Sequence, residues 1–170
     1  MGYELRRTAA SRERQALPAD WAGYAAAAWA FLFAAMSFYW ALGGRVGVET
    51  IGDAITKPAL AGDPTILAIV WITGFLKVVV GVLALALVQP WGQRIPRWAL
   101  LIGGWGAGAL FLVYGAANLA QDALIVVGLV PTPAGLGAVA ARWHLFLWDP
   151  WWLLGGVLFA LATWRFSRSR

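Results

Sequence analysis

Cysteine is missing from this 170-residue chain. That excludes disulfides, thiol redox chemistry, iron–sulfur clusters and cysteine-ligated zinc. Histidine occurs once, at His144, so no bis-histidine haem can form; a His/Met pair with Met1 or Met36 has no supporting spacing. Charge is scarce: 12% of residues are Asp, Glu, Lys or Arg, against about 25% in an ordinary soluble domain. Only Ser37 places a serine inside an apolar segment, which leaves a Ser/His/Asp triad little to draw on. No run of His, Asp and Glu has metal-ligand spacing, and the glycines sit in apolar stretches rather than in a phosphate-binding loop. The sequence therefore gives no reason to expect a metal, a cofactor or an assignable catalytic residue.

What remains is apolar. Hydrophobic residues make up 61% of the chain and lie in long blocks, which points to a bilayer rather than to an aqueous core. Four blocks are long enough to span one, at about 1.5 Å of rise per helical residue. The spacing predicts helices over 21–42, 65–88, 98–121 and 147–166: an all-α membrane protein, four transmembrane helices in an up-down bundle. Residues 1–20 form a polar N-terminal segment without an evident cleavable leader, and 168–170 a basic tail.

Punctuation follows known helix signals. Asp20 is expected to cap the first helix, and Asp149-Pro150 reads as a helix-start pair, with Asp as cap and Pro in the first position. Residues 136–148 then form either a separate short helix or the same helix kinked at Pro150. In the first loop, Arg45, Glu49, Asp53 and Lys57 recur every four residues, while Val48, Ile51 and Ile55 occupy another face. This predicts a short amphipathic helix at the interface, weakened by Gly52 and stopped by Pro58; the alternative is an irregular solvated loop. The third helix continues past residue 121 into an apolar tail, 123–130, expected to protrude or fold along the outer surface. It also carries Gly104-x-x-x-Gly108, overlapped by Gly103-x-x-x-Ala107, a ridge that lets two helices approach closely.

Orientation follows from basic residues. Nine of the thirteen Lys and Arg lie in the N-terminus, the second loop and the C-terminus, and three in the first and third loops. The positive-inside bias puts both termini in the cytoplasm, with the plasma membrane as the expected location. The net charge of +5 is read as this topology signal and not as a nucleic-acid surface. Trp21, Trp91, Trp98 and Trp164 fit an inner aromatic belt; Trp40, Trp143, Trp148 and Trp151 fit an outer one.

Two constellations could carry chemistry. His144 and Trp148 are four apart, as are Tyr114, Asn118 and Asp122; all lie at the outer ends of their helices, with Asp149 beside them. If they converge, an imidazole near carboxylates could relay protons, and the tryptophans could wall a pocket for a lipid head group or an apolar molecule. Otherwise Asp149 is a cap, His144 bonds a carbonyl and the tryptophans are anchors. Lys77 lies near the middle of the second helix, where a charge must face the bundle interior and find a partner; Ser37, Thr73 and Tyr114 are candidates. It marks either an ion path or a lysine that snorkels or bonds a polar neighbour.

At Tyr39-Trp40-Ala41-Leu42-Gly43-Gly44, and at His144-x-x-x-Trp148-Asp149-Pro150-Trp151, the chain resembles a bacterial family of small four-helix membrane proteins. That family is catalogued as domain of unknown function three-nine-nine-five. The resemblance covers most of residues 21–167 and implies a topology without an activity. Three functions stay open: a non-enzymatic module or accessory subunit, partnered by another membrane protein or by a second copy through the glycine ridge; a binder or modifier of a lipid-like ligand at the outer leaflet; and a small transporter using Lys77.

Overall fold

A computed structural model describes residues 20–169. The basic stretch from Arg6 to Arg14, and Arg170, lie outside them. Among the described residues every regular element is helical: α1 Trp21–Ala41, α2 Asp53–Leu60, α3 Pro64–Ala86, α4 Arg97–Val126, α5 Ala138–Trp143 and α6 Asp149–Arg168. A π-helical turn, His144–Trp148, joins α5 to α6, so that 138–168 is one long helical run. That run, α1, α3 and α4 are each long and apolar enough to cross a membrane. The protein is a four-helix membrane protein.

Two antiparallel hairpins build the bundle. α1 lies along α3, α4 lies along α6, and the hairpins join where α1 meets α6; α3 and α4 barely touch. Small residues set both close pairs. α1 buries Ala22, Ala26, Ala27, Ala30 and Ala34, with Ala84 of α3 also buried. On the other pair, a methyl group placed on Gly156 would sit 2.8 Å from the Leu112 backbone nitrogen, and one on Gly108 3.2 Å from that of Ala160. The Gly104–Gly108 ridge is thus occupied inside the chain, by Thr163 and Ala160 of α6. Without a hydrophobic force between helices in lipid, this intimacy supplies the dispersion contact that holds them.

An aromatic cluster fills the α1–α6 seam. Trp29 is 3% exposed, stacks on Trp151 at 6.1 Å and donates its indole N–H to the Trp151 carbonyl at 2.9 Å. Phe33 meets Trp148, Trp151 and Trp152. Trp148 and Trp151 therefore pack between helices, where the sequence had suggested interfacial anchors.

Helix ends depart from expectation in instructive ways. Asp20 sits at the start of α1 but its side chain caps nothing; its carbonyl takes the N–H of Gly23 at 3.1 Å. Asp63 does cap: its carboxylate accepts from the backbone of Thr65 and Ile66 at 2.9 and 3.0 Å, with Pro64 in the first turn. α4 runs on to Val126 rather than ending near residue 121, and stops at Gly128, whose φ of 80° allows the Leu129 N–H to reach the Leu124 carbonyl. The first loop is helical in two pieces, a 3₁₀ turn at Val48–Ile51 and α2, broken at Gly52 with φ 102°. Pro58 lies inside α2 instead of stopping it.

The first and third loops form one cap. Ala54 N–H donates to the Gly135 carbonyl at 2.8 Å, and the Thr56 hydroxyl to the Val48 carbonyl at 2.6 Å. Trp148 ties the cap to the bundle by donating its indole N–H to the Thr50 hydroxyl at 3.0 Å. At the opposite end the second loop and the end of α6 surround a cavity of about 450 Å³ that includes Arg94 and Arg97. Arg97 there donates to the Ser167 carbonyl at 2.8 Å and lies over Phe166.

Candidate functional site

The site begins with a proline inside a helix. A regular α-helix through 138–168 would drive the Pro150 ring into the Phe146 carbonyl and lose the bond between them. The chain widens instead into a π turn, and the Asp149 N–H donates to the carbonyl of His144, five residues back. In an α-helix, residues five apart point about 140° away from each other. A turn closed from i to i+5 stacks them, so His144 and Asp149 come to one side.

That side faces Asp122 on α4. One ligand-capable atom from each of Asp122, His144 and Asp149 lies within 4.8 Å of the other two. His144 Nδ1 stands 3.7 Å from Asp122 Oδ2, an ion-pair distance and too long for a good hydrogen bond. Asp149 is 1% exposed and Asp122 4%. Two polar atoms in this group, Asp149 Oδ2 and His144 Nε2, are buried without a hydrogen-bond partner. Among the described residues, neither carboxylate forms an ion pair with a lysine or arginine. Two acidic groups held together in a bundle, with an unpaired buried acceptor, have the chemistry to accept a cation or a hydrogen-bond donor.

Of the residues singled out in the sequence, three converge: His144, Asp149 and Asp122. Asp149 is not the expected cap. It lies within a continuous helical run whose preceding residue, Trp148, already has helical dihedrals, and it makes no capping bond. Tyr114 and Asn118 serve elsewhere. Tyr114 is half exposed and packs edge-on against Trp152 at 5.0 Å; Asn118 donates to the Tyr114 carbonyl of its own helix at 2.9 Å. Residues eight apart on an α-helix have rotated about 80° from each other, so a four-residue ladder does not keep one face. Trp148 is taken up by Phe33, Trp40 and Thr50. Ligand spacing along the sequence shows no metal cluster, yet the fold assembles three donors from positions 122, 144 and 149.

Lys77 has found partners. Its ammonium donates to the Ser37 hydroxyl at 2.8 Å and lies 4.2 Å from the Phe33 ring centre. Ser37 in turn donates to the Phe33 carbonyl at 3.3 Å. A hydroxyl and an aromatic face compensate a half-buried ammonium without a carboxylate. Phe33 had no signal in the sequence, because a phenylalanine in an apolar helix looks like any other. Beside it, Leu32, Phe33, Met36, Leu147, Trp148 and Trp151 line a wholly apolar groove of about 290 Å³.

A family model described as "Protein of unknown function (DUF3995)" matches residues 30–159. The matched region contains Ser37, Lys77, Asp122, His144 and Asp149. No curated protein and no solved structure matches the chain.

Proposed function

The chain belongs to the DUF3995 family, which brings a membership and no activity, and we propose a function from the site alone. The protein is a non-enzymatic binding module of the membrane. Its four helices hold a small ligand or head group at Asp122, His144 and Asp149, beneath the cap made by the first and third loops. The observation that carries this reading is the burial of Asp149 Oδ2 without a partner, beside a second carboxylate and an imidazole. An open buried acceptor within a polar cluster is what a binding site offers its guest. The charge bias of the loops supports both termini in the cytoplasm, with the site then at the outer face of the plasma membrane.

Lys77 supports a transport reading less well, because its ammonium is already engaged by Ser37 and Phe33. The glycine ridge supports a homo-oligomer less well, because α6 occupies it.

Thermal unfolding in mild detergent tests the binding reading. Wild type as purified is compared with wild type after delipidation and exhaustive dialysis, and Asp149→Asn is treated the same way. A wild-type midpoint that falls on dialysis, with an Asp149→Asn midpoint that does not respond, is expected. A wild-type midpoint indifferent to dialysis, with Asp149→Asn lower by a constant amount, makes the cluster a structural element and ends the reading.

A further inference from the structure

We infer that Asp122, His144 and Asp149 form a binding site for a divalent first-row transition-metal ion of the zinc class, an inference that rests on the site being a ligand site. Four features lead there. The donor set is one imidazole and two carboxylates, which suits borderline ions such as zinc, manganese or iron(II). The spacing fits: zinc bonds to nitrogen and oxygen of about 2.0–2.2 Å put tetrahedral ligands about 3.4 Å apart, and His144 Nδ1 lies 3.7 Å from Asp122 Oδ2. The other two pairs of ligand-capable atoms also lie within 4.8 Å of one another.

Charge is the third feature. As metal ligands, two carboxylates and an imidazole would supply a formal charge of −2, which a divalent ion cancels. Asp149 and Asp122 are 1% and 4% exposed, and in so dry a setting a uniform negative charge is costly. The fourth is the orphaned Asp149 Oδ2, a buried acceptor among two other donors and without a hydrogen-bond partner. The helices supply a reason for the π turn as well: it is what aligns His144 with Asp149. Three protein ligands leave at least one coordination position for water or for an oxygen of a bound head group.

The experiment uses the full chain, purified in mild detergent with an affinity tag other than polyhistidine. Metal content is measured by elemental mass spectrometry, and zinc is then titrated into chelator-stripped protein, with cobalt(II) absorption as a probe of coordination. His144 is the only histidine in the chain, so an imidazole–metal signal has one source. We expect about one equivalent of zinc per chain, with Asp149→Asn and His144→Gln each weakening binding by more than about 100-fold. Asp122→Asn serves as a third variant should either of these fail to fold, and far-ultraviolet circular dichroism checks all of them. Zinc binding that is substoichiometric, or equal in wild type and folded variants, overturns the metal site. If zinc fails while delipidation and dialysis still lower the wild-type midpoint and leave Asp149→Asn unmoved, the binding reading stands with a different guest. If that response is missing too, both fall.

Discussion

The chain contains two Asp-Pro pairs, Asp63-Pro64 and Asp149-Pro150, and the fold puts them to opposite uses. At residue 63 the chain arrives from Gly62, whose φ of 78° breaks any helix before it. The aspartate is then free to turn its carboxylate onto the N–H groups of Thr65 and Ile66, and the proline takes the first turn, where no hydrogen bond is lost. At residue 149 the preceding stretch, from Ala138, is already helical and no glycine interrupts it. The backbone N–H of Asp149 is used in the π turn, so its carboxylate is directed away from capping and toward Asp122 and His144. An identical dipeptide is a helix start after a glycine and, after a helix, part of a π turn that brings a carboxylate beside Asp122 and His144. What decides is the conformation of the residue before it.

Substitutions made in parallel at the two pairs can break this contrast. The largest difference should come from Asp→Asn. Asparagine caps as well as aspartate, so Asp63→Asn leaves stability and zinc affinity unchanged, while Asp149→Asn removes a charged ligand and lowers zinc affinity by more than about 100-fold. Isothermal titration with zinc reads both; an equal loss at the two positions would refute the contrast.

Pro→Ala comes next. Pro150→Ala restores an N–H and removes the ring that opens the π turn, letting the helix tighten and turning His144 away from Asp149. Zinc affinity should fall by roughly 10-fold, whereas Pro64→Ala changes nothing measurable in the same titration. Retention of full affinity by Pro150→Ala would mean that packing around Trp148, not the ring, holds the turn open.

Asp→Ala gives a smaller effect with opposite signs. Asp63→Ala loses a cap and should cost about 1 kcal/mol. Asp149→Ala, with metal removed by chelator, should leave stability unchanged or higher, because it relieves an uncompensated carboxylate. Unfolding by sodium dodecyl sulfate in mixed micelles measures both. A clear destabilisation by Asp149→Ala would mark that residue as structural.

Smallest is Lys57→Met. The Lys57–Asp53 pair is 2.7 Å long but largely exposed, with side chains 74% and 45% accessible. Its loss should cost no more than about 0.5 kcal/mol in the same unfolding assay and should leave zinc binding untouched.

Much of the scaffold was legible beforehand. Block hydrophobicity reveals four spans because the bilayer demands long apolar helices regardless of what they pack against. Lys77 announces a partner because a mid-membrane charge must have one, and Ser37 was a foreseeable choice. Of the site, His144, Asp149 and Asp122 stood out as polar groups in apolar surroundings. Tyr114, Asn118 and Trp148 stood out equally, for the same reason, and the fold engages them elsewhere. Phe33 and Thr50, which hold Lys77 and Trp148, were silent because their roles depend on what lies opposite them.

Helicity, four apolar stretches long enough to cross a membrane, and the few polar residues to be accommodated at their ends and middle are all readable from the amino-acid order alone. These follow from local hydropathy and from the cost of burying charge, quantities that each segment carries alone. Three outcomes needed the folded chain: α6 fills the glycine ridge of α4, Asp63 caps while Asp149 does not, and a π turn brings Asp149 and His144 together against Asp122. Those outcomes depend on the rotational register of helices far apart in the chain, which is set by close packing between them and not by any one segment's composition.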